Sequence, residues 1–149
     1  MIKTHYRDYA TEAFRLLALE GSAEKYRSRI WNQAIEDISN SESRSGSVSA
    51  PTEAAIMRAQ KALDDARATI LDLESAEFAL ETLEKMRGRV AIKAVKAVYM
   101  ITPDRPVGRG EIHQRVEIAS TELSADPRTI YRWLSLARNL FAEHRGLRT

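Results

Sequence analysis

Residues 110–142 read GEIHQRVEIASTELSADPRTIYRWLSLARNLFA, and the punctuation of this stretch decides what the chain folds into. Gly110 opens a polar helix with Ile112, Val116 and Ala119 on one face. Leu123-Ser124-Ala125 interrupts that helix. Asp126 then offers an N-cap carboxylate, and Pro127 fits the first helical position, where a missing N–H leaves nothing unpaired. The second helix repeats Ile130, Trp133, Leu134, Ala137 and Phe141 at helical spacing. Its first turns carry Arg128, Thr129, Tyr131 and Arg132. Two helices broken by so short a turn form a helix-turn-helix pattern, and the early turns of its second helix are where such a motif places base-reading side chains in the major groove.

The chemistry of those side chains agrees with that placement. An arginine reads guanine through two hydrogen bonds, worth roughly 1–3 kcal/mol of discrimination. Thr129 and Tyr131 suit phosphate oxygens or thymine methyl groups. Arg138, further along, suits a phosphate or a neighbouring helix. Arg105 and Arg109 sit in TPDRPVGRG (102–110), a loop with two prolines and two glycines, and suit backbone anchoring, which sets register but not sequence preference. Before that loop, Val90, Ala91, Ala94, Val95, Val98, Tyr99 and Ile101 predict a strongly apolar helix lying beneath the motif as its floor. Gly88 marks the break ahead of it. The last helix is expected to run to about His144 and to stop before Gly146.

Working outward, Pro51-Thr52 starts a long helical segment. Ile56, Ala59, Leu63, Ala66, Ile70 and Leu73 recur at spacings of three and four, and Ala76, Leu80, Leu83 and Met86 continue after a phase slip. Two readings stay open: one continuous helix of ~50 Å, or a second helix over 76–86 capped by Ser75. The first could form an intermolecular coil, and the second folds back inside the domain; helical packing that includes a dimer contact is expected. Residues 39–51, SNSESRSGSVSAP, hold six serines, one glycine and one proline and predict a flexible linker. At the N-terminus, Tyr6, Tyr9, Ala10, Ala13, Phe14 and Leu17 predict one helix. Gly21 stops it, and Ser22 caps a second with Tyr26, Ile30, Ala34 and Ile38 on its stripe. So short a link predicts an antiparallel hairpin. The expected architecture is all-α, in four parts: a helical hairpin (1–38), a linker (39–51), a central oligomerisation segment (52–87) and a helix-turn-helix domain (88–149).

Charge sharpens this organisation. The net charge is only +2, but residues 51–86 carry four basic and eight acidic groups, net −4, while residues 87–149 carry twelve basic and six acidic, net +6. A basic excess confined to the last third is a plausible polyanion footprint. The chain has no cysteine, which excludes disulfides and thiolate metal sites. His5, His113 and His144 lie far apart, so no metal or other cofactor is expected. Gly108-Arg109-Gly110 lacks the third glycine of a dinucleotide fingerprint. The carboxylates Asp64, Asp65, Asp72, Glu74, Glu77, Glu81 and Glu84 read as a solvated face rather than a catalytic pair. No apolar run approaches the ~18 residues of a membrane span, and the start lacks a signal-peptide core, so a cytoplasmic, non-enzymatic protein with no membrane partner is expected.

The same residues resemble a known family. EIASTELSADPRTIYRWLSLARNLF (117–141) resembles the helix-turn-helix of bacterial sigma factor region 4, with one extra residue in the turn. AVKAVYM, GEIHQRV and RTIYRWLSLARNLFAEHRGL, taken together, resemble the C-terminal module of phage-encoded late transcription regulators of the ArpU and RinA type. The likeness covers about residues 95–146. It implies double-stranded promoter DNA as a partner, host RNA polymerase as another, and DNA contact by Arg128, Thr129, Tyr131 and Arg132. No region resembles the promoter-melting part of a full sigma factor. The expectation is therefore a dimeric, sequence-specific regulator of phage or prophage type. Two competitors remain: a small-terminase-like DNA-packaging protein, which would form a large ring, and a helical protein-interaction module that never touches DNA.

Overall fold

Three rings mark the centre of the molecule. In the computed structural model the Phe14 ring lies nearly parallel to that of Tyr99 and is tilted against that of Phe141, with 6.1 Å between centroids in both pairs. The structure describes residues 4–42 and 52–147, with side chains over 6–36 and 52–147. Among the described residues it consists of seven α-helices and no strand, as the apolar periodicity predicts. They are α1 (Thr4–Glu20), α2 (Ala23–Glu42), α3 (Glu53–Asp65), α4 (Arg67–Arg87), α5 (Arg89–Tyr99), α6 (Glu111–Leu123) and α7 (Pro127–Arg145). No described helix is long and apolar enough to cross a membrane.

The three rings come from α1, α5 and α7, and around them lie Leu73, Leu83, Val95, Val98, Val116, Ile130 and Leu134, all essentially inaccessible to water. One contiguous core thus runs through α1, α4, α5, α6 and α7. The boundary expected near residue 88 passes through this core, not around it. Alanines supply much of the rest: Ala10, Ala13, Ala76 and Ala79 are buried, and their small side chains let α1 lie close against α4. Such a core is sensitive to volume, because closely packed neighbours cannot collapse into a gap.

Local signals at the helix ends act much as the sequence suggests. The Ser22 hydroxyl accepts from the Lys25 N–H at 3.0 Å, and the Thr52 hydroxyl accepts from the Ala55 N–H at 3.1 Å, which caps α2 and α3. A second anchor for α2 comes from α4, where the Glu77 carboxylate accepts the Ala23 N–H. α4 and α5 are joined by Gly88 alone, at φ 87° and ψ 177°. A side chain is strained in that conformation, so glycine is the residue that lets two helices meet at a single-residue corner.

Four expectations are corrected. The central segment is neither one helix nor a pair divided at Ser75. It breaks at Ala66, whose φ and ψ of −92° and 6° leave the helical region while its N–H still reaches the Ala62 carbonyl. Ser75 lies buried in mid-α4, its hydroxyl 2.8 Å from His144 Nδ1 on α7. The buried face of α3 keeps Ala59 of the expected stripe but takes Ala55 in place of Ile56. Ala55 and Ala59 are covered, while Ile56 is exposed and Met57 is 63% exposed. Finally, α1 and α2 touch only slightly: α2 lies mainly along α3, whereas α1 packs on α4 and α7. The expected linker begins late as well, since α2 continues through Glu42. Its remainder, 43–51, lies outside the described residues, as does the side chain of Ile38.

Candidate nucleic-acid interface

The turn between α6 and α7 is built by its own side chains. Ser124 ends α6 in the left-handed region (φ 53°, ψ 44°). The Ala125 N–H returns to the Ser120 carbonyl at 3.1 Å, and the Ser120 hydroxyl donates to the Ala125 carbonyl at 2.5 Å. Asp126 is extended, and its carboxylate accepts the Arg128 N–H at 2.8 Å, with Pro127 opening the helix. The local grammar of Asp126-Pro127 is therefore realised as read. Beyond it, α7 buries Ile130, Leu134, Ala137, Phe141 and Ala142. That burial fixes the opposite face, where helical spacing places Arg128, Arg132, Ser135 and Asn139.

The loop before α6 is clamped from beneath. Arg115, buried, donates to the Val98 carbonyl at 2.8 Å, to the Thr102 hydroxyl at 2.9 Å and to the Glu111 carboxylate at 3.2 Å. Glu111 also accepts from Arg105 at 2.6 Å and from the Gly108 N–H at 2.7 Å. With the Arg105 guanidinium first and the Gly108 N–H second, these donors hold its carboxyl down at about 2, well below the usual carboxylate range. Arg15, buried in α1, donates to the Arg105 carbonyl. Periodicity alone reads Arg15 and Arg115 as solvated residues; a basic residue one place before a buried Val116 was the available hint.

The seven candidate arginine, threonine and tyrosine positions fall into three groups. Arg128, Thr129, Tyr131 and Arg132 lie together on the first turns of α7, with Arg128 and Arg132 exposed and Thr129 half-buried. Arg128 Nε is 3.9 Å from Asp126, a loose and exposed pair that holds the guanidinium weakly. Tyr131 is exposed and its hydroxyl lies 3.2 Å from His113 Nδ1 on α6. Arg109 is exposed on the loop, whereas Arg105 is engaged by Glu111. Arg138 turns inward: it donates to the Tyr99 hydroxyl, and its buried Nε has no partner. It joins α7 to α5, the neighbouring-helix role that was one of its two expected uses.

Sequence reading missed the neighbour of this cluster. α4 and α7 run antiparallel, since Asp72 meets Arg145 and Ser75 meets His144 at one end while Arg87 approaches Thr129 and Arg132 at the other. At that second end an open groove of about 490 Å³ is lined by Arg87, Thr129, Arg132, Trp133, Ser135, Leu136 and Asn139. No spacing rule links residue 87 to residue 132; the antiparallel packing does. Among the described residues no three acidic or histidine side chains converge as a metal site would require. Comparison with protein-family models, with curated proteins and with solved structures finds no match to this chain.

Proposed function

We propose that the protein is a sequence-specific DNA-binding transcriptional regulator of phage or prophage type, with α6 and α7 as a helix-turn-helix and α7 as the helix that reads the major groove. One observation carries the reading. α7 is locked into the core along Ile130, Leu134, Ala137 and Phe141, while its opposite face offers Arg132, with no ion pair among the described residues, and Arg128, held only by the loose 3.9 Å pair with Asp126. Rigid mounting matters here, because a base contact is worth its full discrimination only if the side chain's support is already ordered. Arg109 on the loop supplies backbone anchoring. Arg105 does so through the loop it shares, its own guanidinium being held by Glu111. The resemblance of residues 95–146 to phage late regulators supports the transcriptional role and host RNA polymerase as a second partner. The proposed role requires no catalysis and is exercised in the cytoplasm.

Dimerisation belongs to the same proposal. Among the described residues α3 packs only on α2 and α4, and it leaves Ile56 and Met57 facing outward. A second copy meeting that face would give two readers for two half-sites about one helical turn of DNA apart. Selection of bound sequences from a random duplex pool tests the function directly. The expected result is a defined motif, with two half-sites if the dimer forms. Arg128→Ala combined with Arg132→Ala should abolish preference for that motif, and retained preference would overturn the assignment of α7. Light scattering on the free protein should give a dimer, whereas a large ring would point to DNA packaging.

A further inference from the structure

Of four grooves on the described surface, the one between the C-terminal end of α4 and the first half of α7 stands apart in its chemistry. Three others carry carboxylates: Asp8, Glu12 and Asp72 line one, Asp8, Glu12 and Asp104 another, and Glu77, Glu81 and Glu84 the third. The α4–α7 groove carries none. Its polar lining is Arg87, Thr129, Arg132, Ser135 and Asn139, which present two guanidinium groups, two hydroxyls and an amide. Neither guanidinium is paired with an acidic group among the described residues, and Arg87 donates only to the carbonyl of Met86, at 3.1 Å. The nearest acidic group on α4, Glu84, is turned toward Arg89 at 3.7 Å. Two unpaired cations facing one concavity repel each other, so the site favours an anion between them.

We propose that this groove seats the phosphodiester backbone of the bound duplex, with Arg87 as a phosphate contact contributed by α4. The inference rests on the DNA-binding reading above and extends it. The groove lies beside the exposed α7 face that carries Arg128 and Arg132, so a helix lying in the major groove brings the flanking strand over it. Arg132 stands where the two surfaces meet and serves both. α4 thereby becomes part of the reader, and the DNA-contacting surface reaches outside residues 88–149. A phosphate contact of this kind is indifferent to base sequence. Its energy is tied to the release of condensed counterions, which distinguishes it from the α7 contacts to bases.

Fluorescence anisotropy with the full chain tests this, using a labelled duplex of the selected motif and a scrambled duplex of equal length over a series of salt concentrations. Arg87→Ala should weaken binding about tenfold on both duplexes, the loss of one charge-assisted hydrogen bond. It should also flatten the slope of log affinity against log salt by about 0.9. Lys85→Ala, an exposed cation outside the groove, should change neither, and Arg87→Lys should restore most of the slope. Thermal melting of each variant checks that the fold is intact. Unchanged affinity and slope in a folded Arg87→Ala protein would overturn the inference while leaving the DNA reading standing. Weakening confined to the selected duplex would overturn it too, by making Arg87 a base contact. If the wild-type protein binds no duplex at near-physiological salt, the DNA reading itself fails and the inference with it.

Discussion

The two ends of the α4–α7 pair are built on opposite principles. At the end nearest the N-terminus of α4, Tyr9, Asp72, Ser75, His144 and Arg145 are bonded to one another inside the protein. Asp72 accepts from the Tyr9 hydroxyl at 2.5 Å and from Arg145 Nε at 2.7 Å. Ser75 is bonded to His144, whose ring stacks on Phe78 at 4.3 Å. Burial, and then the Asp72 carboxylate, push the Tyr9 hydroxyl above its ordinary value, while Asp72 raises that of Arg145. At the other end Arg87 and Arg132 face an open groove that carries no carboxylate. The same two helices satisfy their charges at one end and leave them available at the other. A surface that leaves cations unpaired beside one another forgoes stability there, which is expected of a binding site and not of a structural contact.

That contrast can be broken in stages. Phe141→Ala strikes the core beneath both ends and should cost about 3–5 kcal/mol in chemical denaturation, because Phe14 and Tyr99 cannot close over the void. Next comes Asp72→Ala at the closed end. It leaves Tyr9 and Arg145 without their shared acceptor and should lower stability by about 1–3 kcal/mol, while duplex affinity stays unchanged. A large loss of affinity in that variant would show that the two ends are not separable. At the open end, Arg128→Ala and Arg132→Ala should each stay within about 0.5 kcal/mol of wild-type stability, because Arg128 has only a loose, exposed pair with Asp126 and Arg132 has no ion pair among the described residues. A clear loss of stability there would mean that the arginines are structural after all.

The smallest effect lies in the loop clamp. A carboxyl held at about 2 in the folded protein and near its ordinary 4.5 in the unfolded chain favours folding wherever it is ionised. The contribution of Glu111 is therefore fully present above about pH 5 and fades as pH falls toward about 2. Melting curves of wild type and Glu111→Gln should differ near neutrality and converge through that acid window. A gap that stays constant with pH would mean that the charge of Glu111 is not what holds Arg105 and the Gly108 N–H.

The elements legible in the sequence are those set by neighbours along the chain. Ser22, Thr52, Asp126 and Pro127 mark helix starts, Gly88 a corner, and the apolar repeats of α1, α5 and α7 their buried faces. Each of these depends on residues within one helical turn. What stayed hidden depends on partners far away. Ser75 has the chemistry of a cap, but its hydroxyl is bonded to a histidine on the last helix, so the break falls at Ala66 instead. α2 prefers α3 to the helix beside it in sequence, and no periodicity encodes that choice. Arg15 and Arg115 are buried because backbone carbonyls at Arg105 and Val98 await them. At the candidate interface, the cluster on the first turns of α7 was readable from spacing, while the choice of Arg138 between a phosphate and a neighbouring helix, and the arrival of Arg87, were not.

The meeting of Phe14 with Tyr99 and Phe141 also sets an order of events during synthesis. A ribosome adds about 5–20 residues per second and releases the N-terminal part of a chain first. Here α1 emerges before the six other described helices, yet one of the surfaces that covers Phe14 belongs to α7, the latest of the seven. Until α7 leaves the exit tunnel, the apolar flanks of α1, α4 and α5 wait without their common lid. A nascent chain stalled before Pro127 should therefore engage chaperones or bind a hydrophobic dye, and one released past Arg145 should not.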